Sequence, residues 1–536
     1  MQHGIISAPQ PEAVEAGADV LAAGGNAVDA AIACALVQTA VDPFMCGIAG
    51  FGSMHVYMPG QGVHRFIDFH GRAPRAATPE MWEDLIIAEA EDGFGFSLQG
   101  AVNEIGYKSI TTPMTLRAFD TAVARYGTMQ LSRLLEPAIR YCEEGWTVRP
   151  HVAQYWNEVP KAGRRPHAEF CTRFAATRAI YARADGGTHQ VGDLIRNPDM
   201  AHTLRRIAQN GADDFYTGAI AADILKDMSA NDGLIDAGDL AAVTPRDNPP
   251  LTATYRGYEI ATNQPPSGGV MLVEMLNILA NFDLAAMGHN SPAYIATVSE
   301  AMKIATLDKD VHVGDPEFVD VPLARLTSKD YAREQASRIR RGEKANVIRY
   351  NRGGEESRDT THICVADRDG NIVSMTHSLG APSGVVTPGL GFMYNGCMAV
   401  FDPRPGRAGS IAPGKARFTA MCPTIVFRNG EPTHVIGAPG GTFITMGVLQ
   451  GLLNMFDFDM DAAEAVAAPR FCTTSNTIDI TNRILRRTEA ELKAMGYPVR
   501  RSPLNFTFAG VHALRRSADG WDGGADPGRD GMVLRL

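Results

Sequence analysis

The chain has 536 residues, 45% hydrophobic and 21% charged, proportions that exclude a disordered or fibrous protein and allow two to four domains or one large α/β body. Its 50 basic and 60 acidic residues leave a net charge of -10, which argues against a nucleic-acid partner, because phosphate contacts need clustered Lys and Arg. The opening "MQHGIISAPQPEAVEAGADVL" has no basic segment followed by an apolar one, and the longest apolar run, Ala27 to Val41, contains Asp29 and Gln38 and is too short to span a bilayer, so a cytoplasmic protein without a membrane partner is expected.

In chain order, "GIISA" predicts a strand, followed by two apolar helices split at "AAGGNAVDAA", where the glycine pair closes one helix and Asn26 caps the next. "CGIAGFGSMHVYM" reads as a glycine-rich turn entering a strand. Gly47, Gly50 and Gly52 lie in the order helix, loop, strand, which points to close backbone packing instead of a phosphate loop. From about 100 to 345 the three- and four-residue apolar spacing predicts mainly helices, interrupted by a strand-like "TATYRGYEIATNQPPSGG".

Arg338 to Asp359, rich in charge with an adjacent glycine pair, predicts an exposed, mobile linker. After it the texture turns to strands: "THICVADRDGNIVSMTHS" is a hairpin about Arg368 to Asn371, and "GFMYNG", "PTIVFRNGEPTHVIGAPGG" and "GVHALRRSADG" supply more. "MGVLQGLLNMFDF" and "MDAAEAVAAP" predict two helices between them. Strands in both halves with helices outside fit an α+β, four-layer αββα sandwich. Eight cysteines without CxxC spacing read as buried free thiols, so neither a metal site nor a cofactor is expected.

A threonine hydroxyl is a poor nucleophile at neutral pH unless a base is close, and the free α-amine of the same residue can be that base. Such an amine exists only when the chain is cut just before the residue. A mobile linker ending at Asp359 and followed by Thr360 at a strand start suits that cut; an ordinary linker before a Thr-rich strand fits the same features.

The stretch "DTTHICVADRDGNIVSMTHSLG" resembles the active-site motif of the γ-glutamyltransferase family, self-cleaving N-terminal-nucleophile hydrolases of αββα fold. "GGNAVDAAIA", "YGTM", "EEGWTV", "GLIDAGDLAA", "YRGYEI", "PPSGG", "GDPEFVDVP", "MCPTIVF", "GAPGG" and "GADPGRDG" resemble the same family in the same order. The resemblance implies cleavage between Asp359 and Thr360, giving a heavy piece (1–359) and a light piece (360–536) that stay associated, with Thr360 as nucleophile. It implies further that Thr376 and Ser378 are the hydroxyl residues of the neighbouring strand, and that Gly440 and Gly441 form the oxyanion hole, where absent side chains let successive N–H groups reach a developing negative charge.

The substrate-gripping positions depart from the family. His70 stands where an Arg holds the α-carboxylate, Val400 where an Asp holds the α-amine, Gly380 at a usual Asn and Thr419-Ala420 at a Ser pair. An ammonium without a carboxylate partner is costly to desolvate, so a free amino-acid head group should bind poorly, while Arg72 or Arg417 could hold a carboxylate instead. The loop between Phe401 and Arg417 is shorter than the family's long lid, which implies a more open pocket. The expected activity is that of an autoprocessing amidohydrolase or acyltransferase on a small amide or a carboxylated substrate such as a dicarboxylic monoamide. Genuine γ-glutamyl transfer through an altered pocket and an uncleaved, inactive binding protein are the alternatives, and a homo-oligomer is compatible with either.

Overall fold

The computed structural model describes residues 3–90, 93, 95–158, 165–348 and 360–536. Strand β1 (Gly4–Ala8) leads into helices α1 (Pro11–Ala22) and α2 (Ala27–Val41). Asn26 starts α2 as its sequence suggests: its side chain accepts from the N–H groups of Val28 and Asp29, and the Asp29 carboxylate accepts from the N–H of Asn26, so two N–H groups without intrahelical partners are satisfied reciprocally. All fifteen residues of α2 are buried, the expected fate of a helix apolar on every side.

Strands β2 (Phe51–Met58), β3 (Val63–Phe69), β4 (Arg246–Asn248), β5 (Leu251–Tyr255) and β6 (Tyr258–Thr262) follow, then helices α3 (Gly269–Leu279) and α4 (Pro292–His312). Beyond the predicted linker come β7 (Thr361–Asp367), β8 (Ile372–Ser378), β9 (Thr424–Arg428), β10 (Glu431–Gly437), α5 (Ile444–Asp457), α6 (Ala462–Ala467), β11 (His512–Ser517), β12 (Gly520–Ala525) and β13 (Met532–Arg535). The helix preceding the linker runs to Arg340, inside the predicted span, and residues 349–359, with Asp359, lie outside the described residues.

Two antiparallel sheets carry the fold: β13-β1-β7-β8-β2-β3-β4, and β12-β11-β10-β9-β6-β5. They face each other through β7, β8, β10 and β11, while α1 and α2 cover the first sheet and α3, α5 and α6 the second. This is the expected αββα sandwich. Each sheet takes strands from both sides of residue 360, so neither segment completes a sheet alone.

Glycines 50 and 52 serve close packing, as read from their order along the chain. A Cβ on Gly52 would sit 2.4 Å from the Thr376 carbonyl oxygen, and one on Gly50 2.2 Å from that of Ser378. Their bareness lets β2 lie against the strand that faces Thr360.

Candidate active site

Thr360 immediately precedes β7 and is only 3% exposed in the intact chain. The register Thr361 to His377 puts its side chain beside Ser378, and the two hydroxyl oxygens are 3.2 Å apart. The Gly380 N–H donates to Ser378 Oγ at 2.7 Å; this contact holds the serine hydroxyl toward Thr360. Gly380 adopts φ +76°, and a Cβ there would lie 2.6 Å from Cys397 Sγ, so the turn that positions this N–H requires glycine.

Thr376 lies on the same face one alternation further along β8. Its Oγ1 is 2.7 Å from His362 Nδ1, so it joins a histidine instead of meeting Thr360 directly.

The loop after β10 brings Gly441 to the cleft, while Gly440 before it lines a neighbouring depression with Phe508 and Ala509. Both glycines have positive φ, 139° and 56°, and among the described residues neither N–H donates to a backbone carbonyl. A Cβ on Gly440 would come within 2.6 Å of Ala509 Cα. Ala509 and its neighbour Phe508 are themselves left-handed at φ 66° and 63°, an arrangement that costs about 1 kcal/mol or more per residue and persists only where packing enforces it. Adjacent backbone amides that can reach a reacting carbonyl oxygen are what stabilisation of a tetrahedral oxyanion requires.

Thr360, Gly380, Val400, Arg417, Thr419, Gly441 and Thr442 line one narrow cleft. Arg417 is the unusual member. It is 4% exposed, its guanidinium stacks 4.2 Å from the Phe51 ring centroid, and Nη1 donates to the Phe418 carbonyl at 3.0 Å. Among the described residues its Nε has no hydrogen-bond partner and it forms no ion pair with a carboxylate. Burial pushes its pKa down from the usual arginine range. Thr442 Oγ1, lining the same cleft, is likewise buried without a partner.

His70 and Arg72 lie elsewhere. His70 is buried behind the cleft, with Nε2 3.0 Å from Ser267 Oγ and 3.6 Å from Asp68 Oδ1, and desolvation lowers its pKa to about 3, so it is a neutral member of a structural polar cluster. Arg72 is half-buried, bridging through its backbone to Thr112 and Ala416. The short covering loop makes bonds of its own. It closes on itself through Asp402 N–H to Gly409 O at 2.9 Å and Lys415 Nζ to Ala408 O at 2.8 Å, and Thr360 stays almost wholly covered.

The gamma-glutamyltranspeptidase family model matches residues 13–536. The chain belongs to the gamma-glutamyltranspeptidase family. It is 37% identical over 522 residues to the Acylase ACY 1 proenzyme of Pseudomonas sp. (strain SE83), covering 97% of this chain and 90% of that protein. It is 34% identical over 486 residues to the glutathione hydrolase proenzyme of Escherichia coli (strain K12), covering 88% and 81%. Among solved structures it resembles a cephalosporin acylase from Bacillus halodurans, with TM-score 0.87, 28% identity, and coverage of 99% and 96%. The chain is therefore an autoprocessing N-terminal-nucleophile amidohydrolase or acyltransferase that need not be specialised for γ-glutamyl groups, and the inactive-scaffold alternative is set aside. Among the described residues, no helix is long and apolar enough to cross a membrane.

Two residues that the motif comparison passes over, His362 and Thr442, stand at the site. His362 carries a visible signal: Thr360, His362 and Cys364 alternate along one strand and Ser374, Thr376 and Ser378 along the next, so six polar side chains share one buried face.

Proposed function

We propose that Thr360, freed at its amine by cleavage after Asp359, is the nucleophile for hydrolysis of small amides whose acyl group ends in a carboxylate. In processing, Thr360 Oγ1 attacks the Asp359 carbonyl carbon, the peptide C–N bond breaks to leave an ester and a free α-amine, and water then hydrolyses the ester to the Asp359 carboxylate and the Thr360 hydroxyl. The segments 1–359 and 360–536 then stay together, because each supplies strands to both sheets.

In turnover, Oγ1 adds to the amide carbonyl and its proton passes to the α-amine. Charge gathers on the carbonyl oxygen facing the Gly440 and Gly441 amides, with Ser378 orienting the attacking oxygen. The C–N bond breaks as the α-ammonium returns its proton to the leaving amine, and water or an acceptor amine then resolves the acyl ester.

The observation that carries the substrate class is the buried guanidinium of Arg417 in the same cleft as Thr360. A buried cation without a counter-ion is unfavourable by several kcal/mol, and a ligand carboxylate at Nε would supply one. Val400 offers nothing to an ammonium, so the acyl groups favoured are those without an α-amine.

Processed protein assayed with p-nitroanilides of glutaric acid, of γ-linked glutamate and of acetic acid tests this reading, since the first two differ only by the amine. Fastest release from the glutaryl compound supports it. A γ-glutamyl rate equal to or above the glutaryl rate would refute it.

A further inference from the structure

The layer between the two sheets is where a globular protein places apolar side chains, and Ala366 and Ile372 of the β7-β8 hairpin do pack there against Ile425, Val435 and Leu514, yet the rest of the same face, toward Thr360, is polar. His362, Cys364, Ser374, Thr376 and Ser378 are each 0% exposed, and such groups persist in a dry layer only when hydrogen-bonded to one another.

His362 is the hub. Its Nδ1 lies 2.7 Å from Thr376 Oγ1, and its Nε2 lies 3.2 Å from Cys364 Sγ and 3.4 Å from Ser374 Oγ. Cys364 donates its proton to the His512 carbonyl at 3.5 Å, and Ser374 donates to the Ile436 carbonyl at 3.3 Å. Both therefore turn lone pairs toward Nε2, so the imidazole proton sits on Nε2 and Nδ1 is an acceptor. Desolvation keeps the ring neutral, with a pKa lowered to about 3. The Thr376 O–H must then donate to Nδ1, leaving the oxygen's lone pairs for donors on the Thr360 side, and Thr360 is its diagonal neighbour across the strand pair.

The same ring lies against Gly437, the last residue of β10 and three residues before Gly440. A Cβ on Gly437 would be 2.1 Å from His362 Cε1. One imidazole thus touches both strands that deliver the reaction's parts, one carrying Thr376 and Ser378 and the other ending three residues before Gly440.

We infer that His362 is a positioning residue for acyl transfer: its Nδ1 fixes the Thr376 hydroxyl as an acceptor toward Thr360, and its ring sets the height of the strand that presents Gly440 and Gly441. The inference rests on Thr360 being the nucleophile. A misplacement of about 1 Å in such a constellation costs on the order of a hundredfold in rate.

The test is the first-turnover burst of nitrophenolate from p-nitrophenyl acetate, a small ester that makes no demand on the acyl pocket. It is measured on the parent protein, T360A, H362F, H362N, T376V and the double variant H362F/T376V, with thermal melting recorded for each. H362F keeps a flat ring without nitrogen, whereas H362N restores an acceptor at the Nδ1 position. The expected result is a burst about a hundredfold slower in H362F and in T376V, recovery to within about tenfold of the parent in H362N, and a double variant no slower than the slower single. G437A, which forces the ring aside, is expected to match H362F. A Thr360-dependent burst that H362F leaves within threefold of the parent, an H362N protein no faster than H362F, or multiplicative single effects would overturn the inference and leave Thr360 in place. A burst that survives T360A would instead sink the nucleophile assignment, and this inference with it.

Discussion

The two ends of the Thr360 cleft contrast sharply. At the hydroxyl end, Thr360 and Ser378 are held by short, specific contacts, 3.2 Å between the hydroxyls and 2.7 Å from the Gly380 N–H to Ser378, and Gly440 nearby in the chain fold has no room for a Cβ. At the other end, which we propose receives the acyl group, stand Val400, Thr419 and the buried guanidinium of Arg417. Bond-breaking machinery depends on atoms placed within tenths of an ångström, and the proposed mechanism assigns it to the first end. Recognition needs only a complementary charge somewhere on the wall, so the second end can change while the reaction stays the same.

The largest break in this contrast is T360A, which is expected to abolish both chain cleavage and turnover; a denaturing gel with a parallel anilide assay reads both. Next comes G440A, whose Cβ would collide with the Ala509 backbone and displace an oxyanion donor, with an expected loss of about a hundredfold to a thousandfold in kcat. At the opposite end, R417M should lower kcat/KM for glutaryl p-nitroanilide by about a hundredfold, the cost of losing a charge-assisted pair. It should leave the acetyl anilide within a fewfold of the parent. An equal loss on both compounds would mean that Arg417 serves the chemistry and not the carboxylate.

The smallest expected effect concerns the polar interior that both ends share. Burial lowers the pKa of His70, His362, His377 and His434 to about 3, and His55 and His512 fall well below the ordinary value. Below about pH 6.5 the unfolded chain takes up protons that these folded residues refuse, so stability declines as pH falls toward 3, by about 1.4 kcal/mol per pH unit for each histidine. Asp42 and Asp68, raised to about 6, and Glu274, raised well above its ordinary value, act in the opposite direction, and the histidines outnumber them. Melting temperature is expected to drop several degrees between pH 7 and pH 4.5, and a flat profile would count against neutral buried imidazoles.

Much of this architecture was legible in the sequence because local signals carried it. Asn26 announced its capping box, the Arg368 to Asn371 turn announced the β7-β8 hairpin, and strands on both sides of residue 360 pointed to shared sheets. The placement of His70 and Arg72 was not legible, because alignment with a motif gives a position along a strand and not the direction in which a neighbouring loop closes. His70 turns toward Ser267, an association across nearly two hundred residues that no local pattern encodes. His362 was readable in principle from the alternation of polar residues in a hairpin whose every position is buried, yet alternation alone does not say which face meets the second sheet. Arg417 was visible as a basic residue near the pocket, but its burial without a carboxylate partner among the described residues emerges only when the surrounding side chains are in place.

The account turns on the origin of the nucleophile's amine, and N-terminal sequencing of the purified protein under denaturing conditions tests that most directly. Two fragments, the smaller beginning Thr-Thr-His-Ile and absent in T360A, are the predicted result. A single full-length chain in catalytically active protein, or a new terminus at any other bond, would contradict it.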